Sequence, residues 1–420
     1  MPPPFSSSSL SSSFPDDNDV CIVSALRTPL CRSRKGKLAK VPVQTLLETV
    51  FRGVFTQTHV SPRDIEDTCV GNVLLPSNGF ATLRMAQIAS GWVDDDQNRE
   101  QNNSDEATSN SFEHCTLSTV NRQCASGLQA IAMIANRIQA GEIQVGLAAG
   151  VESMSHTPMG SIAAPEEGRM IESYATLPPA ARDCLLPMGV TSDTVAKKSQ
   201  LERHELDEFA VQSHRKAAAA QREGKFQSEI VPVGTVSQDD GIRSDCNIET
   251  LSKLRPLFSL TGSTTAGNAS QTTDGAAAVL LMTRKEARRR NLPVLAKWIG
   301  YAVSGVPPSI MGIGPAYAIP AVLRQSGLTM DDIDVYEINE AFASQAYWCC
   351  RELNIPLEKV NPNGGAIALG HPLGCTGARM VATLLPELHR RHARYGVVSM
   401  CIGTGMGAAA ILEAEPPSRL

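Results

Sequence analysis

SPRDIEDTCVGN, from Ser61 to Asn72, and TMDDIDVYEIN, from Thr329 to Asn339, follow one plan: a Ser or Thr capping start, an Asp-Ile-acid centre and an apolar, strand-like end. The two copies lie at an offset of 268 residues, counted from Ser61 to Thr329. A second echo relates QCASGLQAIAMIANRI from Gln123 to GCTGARMVATLLPEL from Gly374, at an offset of 251 between Cys124 and Cys375. The first half therefore holds 17 extra residues between the two echoes, and the aperiodic polar stretch Asp94 to Glu113 is about that size. A third echo, GAAAVLL from Gly275 and GAAAILE from Gly407, places about 119 further residues after Gly150. Such repeats predict a duplicated chain.

Within each half, strand-like and Ala-rich helical runs alternate, which predicts an α/β fold with mainly parallel sheets. Between Thr157 and Thr261, Pro-rich loops and charged helical runs such as LERHELDEFAVQSHRKAAAAQREGK read instead as an inserted subdomain. The expected division is a disordered tail over 1–19 and a first half over 20–153 and 264–290. An inserted loop domain covers 154–263, the second half 291–415, and a terminal stretch 416–420.

Composition narrows the function. The 420 residues are 42% hydrophobic, 19% charged and only 5% aromatic, with a net charge of −5, which argues against a nucleic-acid binder. An anionic ligand must then meet local positive charge. No uncharged apolar run approaches the ~20 residues of a bilayer span. The cysteines number 11 and show neither a CxxC pair nor paired metal-ligand spacing, so the expectation is reduced thiols and no metal. With no basic residue before Arg27 and no apolar core, the N-terminus reads as a tail rather than a leader.

Four polar constellations could do chemistry. In TVNRQCASGLQAIAMIANRIQAG, Cys124 precedes a helix that Ser126 could cap and Gly141 ends, where backbone N–H groups and the helix dipole favour thiolate. Asn339 and Glu340 end the apolar VYEIN and open AFASQAYWCC. His371 sits in NPNGGAIALGHPLGCTGAR, among glycines that bring backbone close to the imidazole. Cys401 follows YGVVSM and opens IGTGMG. Each has a bland reading: a buried thiol, a turn-forming Asn, a structural His. Together they put a nucleophile, a base, a second thiol and an amide at strand ends, where open α/β sheets assemble sites. Gly403, Gly405 and Ala408 mimic a dinucleotide fingerprint, but only 13 residues follow Gly407, too few to complete a βαβ unit. Backbone N–H groups of that turn suit an oxyanion hole better.

NRQCASGLQA, NEAFASQA, GGAIALGHPLGCTGAR and SMCIGTGMGAA resemble, in order, the four motifs of the thiolase family. STTAGNASQTTDGAAA and PPSIMGIGPAYAIP add two more stretches, and the resemblance runs from about Val20 to Glu413. ARDCLLPMGVTS and the NRQC spelling are similar to the peroxisomal 3-ketoacyl-CoA thiolases within that family. The resemblance implies two βαβαβαββ halves layered α/β/α/β/α with an inserted loop domain, assembled as a homodimer or homotetramer. It also implies cleavage of a 3-ketoacyl-CoA by CoA to acetyl-CoA and a shortened acyl-CoA, with no permanently bound cofactor. Cys124 would carry the acyl group, His371 would accept its proton, and Asn339 would hold a water against the enolate. Cys401 would serve as acid and then base, and the N–H groups of Cys124 and Gly403 would hold the thioester oxygen. Ala266, Asn268 and Ser270 match the contact with the pantetheine arm. Arg243, with Lys253 and Arg255 near it, is the candidate for the phosphate end of CoA. SDCNIETL departs from the family's Thr-rich spelling and brings Asp245 near a polyphosphate, and GVESMSHTPMG departs from the common pattern too.

Ser418, Arg419 and Leu420 resemble a peroxisomal address read by an import receptor, which predicts a peroxisome or a related organelle such as the glycosome, with the cytoplasm as fallback. Two other functions would use the same residues. One is the biosynthetic acetoacetyl-CoA thiolase running in the condensing direction, and the other is a non-catalytic acyl-CoA or lipid-binding relative.

Overall fold

The structure is a computed structural model that describes residues 16–91, 112–159 and 176–415. Most of the polar stretch Asp94 to Glu113, the first fifteen residues and the Ser418, Arg419 and Leu420 tripeptide lie outside the described residues.

In chain order the first part comprises β1 (Val20–Arg27), β2 (Cys31–Arg32), α1 (Val43–Thr58), β3 (Asp67–Gly71), α2 (Phe80–Ser90), β4 (Thr116–Val120), α3 (Ser126–Gln139) and β5 (Val145–Ser153). The helices α4 (Met188–Lys198) and α5 (Arg203–Arg222) follow before the chain returns as β6 (Thr273–Thr283). Then come β7 (Ala296–Gly305), α6 (Gly314–Ser326), β8 (Val335–Ile338), α7 (Ala343–Glu352), α8 (Leu373–Arg391), β9 (Tyr395–Ile402) and β10 (Met406–Ala414).

Strand order runs β4-β3-β5-β6-β1-β7-β10-β9-β8, and it is symmetric about its middle. β3 pairs in parallel with β4 and β5, and β6 is antiparallel to both β5 and β1. The second half repeats this with β8 parallel to β9 and β10 antiparallel to β9 and β7, while Val360 bridges Tyr336 where β4 has its counterpart. Asp67 and Val335, the first residues of β3 and β8, stand 268 apart, the offset read from the sequence. Among the described residues, strand pairing links the two halves through Cys21 with Lys297 and Ile22 with Ala296. The capping starts form smaller devices than full helices: Ser61 Oγ accepts the N–H of Arg63 in a single turn, and Thr329 donates to Asp332.

Hydrophobic pattern sets the layers. β5, VGLAAGVES, is buried along all nine residues, as befits a strand covered on both faces. α3 and α8 lie between the two sheets, in a core with Val279, Leu281, Val398, Met400 and Ala408. α8 is buried nearly all round, including Thr376 and Arg379, which places it in an interior layer. α1 and α2 cover the outer face of the first sheet, and α6 and α7 that of the second. The result is an α/β/α/β/α sandwich.

The repeated helices α3 and α8 cross where both lack side chains. A Cβ on Gly127 would stand 2.7 Å from Gly374 O, and one on Gly377 would stand 2.4 Å from Leu128 N. This contact draws together the turns in front of the two helices, which hold Cys124 and His371. Gly127→Ala is expected to lower stability by about 1–3 kcal/mol through overpacking, read as a drop in Tm of several degrees. An unchanged Tm would mean the crossing has slack.

Candidate active site

The turn before α3 is tied by its own polar groups. Asn121 Oδ1 accepts Gln123 N–H at 2.9 Å, while Ser126 Oγ accepts Arg122 N–H at 3.0 Å and donates to Gln123 O at 2.6 Å. Gln123 has φ of 47°, a strained value for a non-glycine residue, and it aims the next residue, Cys124, out of the turn. Ser126 therefore secures the elbow and does not cap the helix, whose N-cap is Ala125. Cys124 is half-buried and packs against Val73, Leu74, Met154 and Leu373.

The backbone N–H groups of Gly403 and of Cys124 itself point at the Cys124 sulfur and favour its thiolate. Burial outweighs them, with a small contribution from Glu152, and pushes the thiol up to about 11. The helix-dipole expectation thus gives way to desolvation: Cys124 rests as a thiol and needs a base during attack. In substrate-free protein, its alkylation by iodoacetamide is expected to rise about tenfold per pH unit from neutrality upward, since a raised pKa leaves little thiolate there. A plateau below pH 8 in the rate, followed by mass spectrometry, would contradict this.

That base lies across the glycine crossing. His371 is buried, its Nδ1 stands 2.7 Å from Thr376 Oγ1, and Thr376 donates to Pro372 O at 3.2 Å. With the hydroxyl proton given to Pro372, Thr376 accepts a proton from Nδ1–H, which leaves Nε2 as the basic nitrogen. Nε2 faces Asn339 Nδ2 at 3.3 Å, consistent with that tautomer. Burial and the Arg379 guanidinium lower the imidazole to about 3, so it rests neutral. Asn339 Oδ1 is buried without a hydrogen-bond partner among the described residues. The neighbouring Glu340 is instead consumed structurally, accepting from Ser213, Asn361 and Ile367.

Cys401 is the last residue but one of β9, fully buried against Met311, Ala341, Met188 and Phe342. Burial first, and then the adjacent Cys124, hold its thiol above the usual range. Thr404 and Gly405 follow with φ of 69° and 96°, and a Cβ on Gly405 would meet Val306 O at 2.4 Å, so only glycine fits this bend. Cys124, Cys401 and Gly403 are thus brought into one cluster. Asn339 and His371 form a second, joined to the first through Leu373 and Ala341.

The ligand-arm candidates divide. Asn268 is buried with its amide engaged: Nδ2 donates to Asp207 and Ser263 O, and Oδ1 accepts Thr265 N–H. Its side chain ties the loop to Asp207. Ser270 is half-buried and Ala266 exposed, and Ser270 N–H donates to Ala341 O at 3.0 Å, beside the Asn339 strand end. Arg243 is exposed, as are Lys253 and Arg255, and its backbone N–H donates to His214 Nδ1 at 3.1 Å. Burial, then Arg243, lowers His214 to about 4.

Two contributors escape the motif reading. Thr376, in the turn after His371, fixes its tautomer. Glu152, from GVES, accepts from Asn72 Nδ2 and from the N–H groups of Val73, Leu74 and Gly374, tying the end of β5 to the start of α8. Burial raises its carboxyl to about 7. Its four donors in an apolar setting would have to be seen in three dimensions.

Comparison with known proteins agrees over almost the whole chain. The family described as "Thiolase, N-terminal domain" matches residues 20–285, and "Thiolase, C-terminal domain" matches 292–414. The human "3-ketoacyl-CoA thiolase, peroxisomal" is 50% identical over 409 residues, covering 94% of this chain and 91% of its own length. The dimeric peroxisomal thiolase of Saccharomyces cerevisiae superposes with a TM-score of 0.84 at 43% identity, covering 96% and 99% of the two chains. Human mitochondrial 3-ketoacyl-CoA thiolase in complex with CoA superposes with a TM-score of 0.81 at 35% identity, covering 94% and 98%.

Proposed function

Because this chain belongs to the thiolase family, we propose that it cleaves 3-ketoacyl-CoA with CoA, in the peroxisome, to acetyl-CoA and an acyl-CoA two carbons shorter. The supporting observation is a pair of adjacent resting thiols, Cys124 and Cys401, together with a neutral His371 whose Nε2 carries no proton and accepts from Asn339.

The chemistry follows from those states. Cys124 attacks the 3-keto carbon while its proton passes to His371 Nε2, so thiolate and imidazolium never coexist in the empty site. The new Nε2–H and the Asn339 amide then face the oxygen on which negative charge collects. Cleavage of the carbon–carbon bond releases acetyl-CoA as its enolate, which takes a proton at carbon from the Cys401 thiol. The N–H groups of Cys124 and Gly403 hold the oxygen of the acyl-enzyme. Cys401, now a thiolate, removes the proton from incoming CoA, whose sulfur attacks the acyl carbon and frees Cys124. The departing Cys124 thiolate takes back its proton from His371, and the proton that Cys401 left on the acetyl-CoA methyl is replaced by that of CoA, so both thiols are restored and CoA leaves as a thioester.

The protein acts as a dimer, and β4 offers a surface for a second copy: it ends the first sheet, among the described residues pairs only with β3, and is half exposed from Leu117 to Val120. Division into halves at 20–153 with 264–290 and 291–415, with 154–263 as the loop domain, belongs to the same reading. So does import through Ser418, Arg419 and Leu420. Incubation of purified protein with acetoacetyl-CoA or a longer 3-ketoacyl-CoA tests the activity: loss of the enolate absorbance is expected only when CoA is added, and no loss would overturn the proposal.

Thr376 supplies a finer test. Thr376→Val keeps the shape but removes the acceptor for Nδ1–H, and is expected to lower kcat by about ten- to a hundredfold with KM little changed. Thr376→Ser should restore most of the rate. Equal activity of the valine variant would remove Thr376 from the mechanism.

A further inference from the structure

A chain of net charge −5 that handles CoA thioesters must present cations to a nucleotide bearing several phosphate charges. Three basic runs stand out, and two are neutralised by their own neighbours. Arg284 pairs with Asp19 and Glu415, Arg288 with Asp17, Arg289 with Glu286, and Arg290 with Glu286 and Asp64. Arg390 and Arg391 share Glu387, and Arg394 takes Glu413.

The third run, CRSRKGKLAK from Cys31 to Lys40, differs. Arg32 alone approaches a carboxylate, Asp240 at 3.8 Å. Arg34, Lys35, Lys37 and Lys40 are exposed, with no acidic side chain within salt-bridge distance among the described residues. The backbone beneath them is held firmly. Asp240 accepts the N–H groups of Arg32 and Lys37 at 2.7 and 2.8 Å, Ser155 Oγ accepts that of Arg34 at 2.7 Å, and Ser33 N–H donates to Thr272 O at 2.9 Å. Four unpaired cations are therefore displayed on a fixed loop.

Topology sets where they are displayed. β1 and β5 are both antiparallel to β6, so they run the same way, and the loop leaves the sheet at the end where β4 leads to Cys124 and β5 to Glu152. Thr272, which anchors Ser33, adjoins Gln271, whose carbonyl accepts His371 N–H at 3.0 Å. Asp240, which anchors the other side, opens the DGIR run that ends in Arg243.

We propose that Arg34, Lys35, Lys37 and Lys40, continuing from Arg243, form a basic rim that captures the phosphate-bearing end of CoA thioesters before the acyl group reaches Cys124. The inference rests on the thiolase reading above. Cations beside a cleft raise the local concentration of an anionic substrate and its association rate, and salt at 0.15 M screens the effect beyond about 8 Å.

The test compares wild type with a variant carrying Arg34→Gln, Lys35→Gln, Lys37→Gln and Lys40→Gln, and with the milder Lys35→Gln/Lys37→Gln pair. Each is assayed as full-length protein with acetoacetyl-CoA and with the uncharged acetoacetyl N-acetylcysteamine thioester across rising NaCl. The expected result is a roughly tenfold loss of kcat/KM for the CoA thioester at low salt, a flatter salt dependence and an unchanged ratio for the uncharged thioester. An unaltered salt profile, or equal losses on both thioesters, would overturn the rim. CoA binding alone, followed by calorimetry on the same proteins, reads the rim without turnover: weaker, less salt-sensitive binding by the variants supports it, and equal binding overturns it. Wild type that binds CoA but cleaves neither thioester would instead refute thiolysis.

Discussion

Cys124→Ala is expected to lower thiolytic kcat by about 10⁴-fold or more, the scale on which loss of a covalent nucleophile acts. No neighbour can take its place. Cys401 is fully buried at the end of β9, with Met311, Ala341 and Phe342 around it, and the N–H groups of Cys124 and Gly403 converge on the Cys124 sulfur. Cys124→Ser should rescue little: the hydroxyl is a far weaker acid than a thiol, and His371, held neutral down to about 3, is a weak base for it. Side-chain size changes little at this half-buried position, so both variants should keep the wild-type Tm within a few degrees. Mass spectrometry after exposure to substrate should show an acyl adduct on Cys124 in wild type alone. Cleavage by the alanine variant at more than a hundredth of the wild-type rate would show that another group attacks the keto carbon.

The duplication is legible because it is written in register. Asp64-Ile65 and Asp332-Ile333 precede equivalent strands, and Cys124, in the turn before α3, matches Cys375, in the first turn of α8. Residues with intrinsic chemistry are legible for the same reason, since a thiol or an imidazole in a glycine-rich turn is unusual by composition alone. Their states are a different matter. The sequence places Cys124 at a helix start and so suggests thiolate, whereas the burial that reverses this comes from Val73, Leu74, Met154 and Leu373, drawn from three separate segments. Asn268 reads as a ligand contact within TAGNAS, and nothing in that stretch announces that its amide also donates to Asp207, distant in sequence. Glu152 reads as an unusual spelling, and its meaning depends on Gly374 N–H in the other half. What sequence leaves out is consistently the partner across the fold, because hydrogen-bond satisfaction and desolvation are properties of neighbours in space.

Cys401→Ala is expected to separate the two halves of the reaction. The first half ends on carbon: the departing enolate must gain a proton, and a carbon acid beside a thioester is so weak that release without a donor is slow. Positioned general acids contribute about 10²–10⁴ to such steps, and the upper end suits a strongly basic enolate beside a fully buried donor. Thiolysis of acetoacetyl-CoA by Cys401→Ala should therefore fall by about 10³-fold or more. Exchange of an acyl group between Cys124 and the sulfur of CoA makes a lighter demand, since a free thiol has a pKa of about 8.5 and its thiolate can leave or attack without full protonation. Acylation of Cys124 by a simple acyl-CoA such as butyryl-CoA should then lose only about ten- to a hundredfold. Burial of Cys401, with Cys124 beside it, gives the asymmetry its cause: a thiol held protonated is well placed to give its proton to carbon, and once it has done so its own thiolate is driven to recover one from CoA. Rapid-quench thiolysis and mass-spectrometric acylation measured on one protein sample decide the matter. Equal losses in both would make Cys401 a packing residue, and retention of thiolysis would assign the proton to another donor.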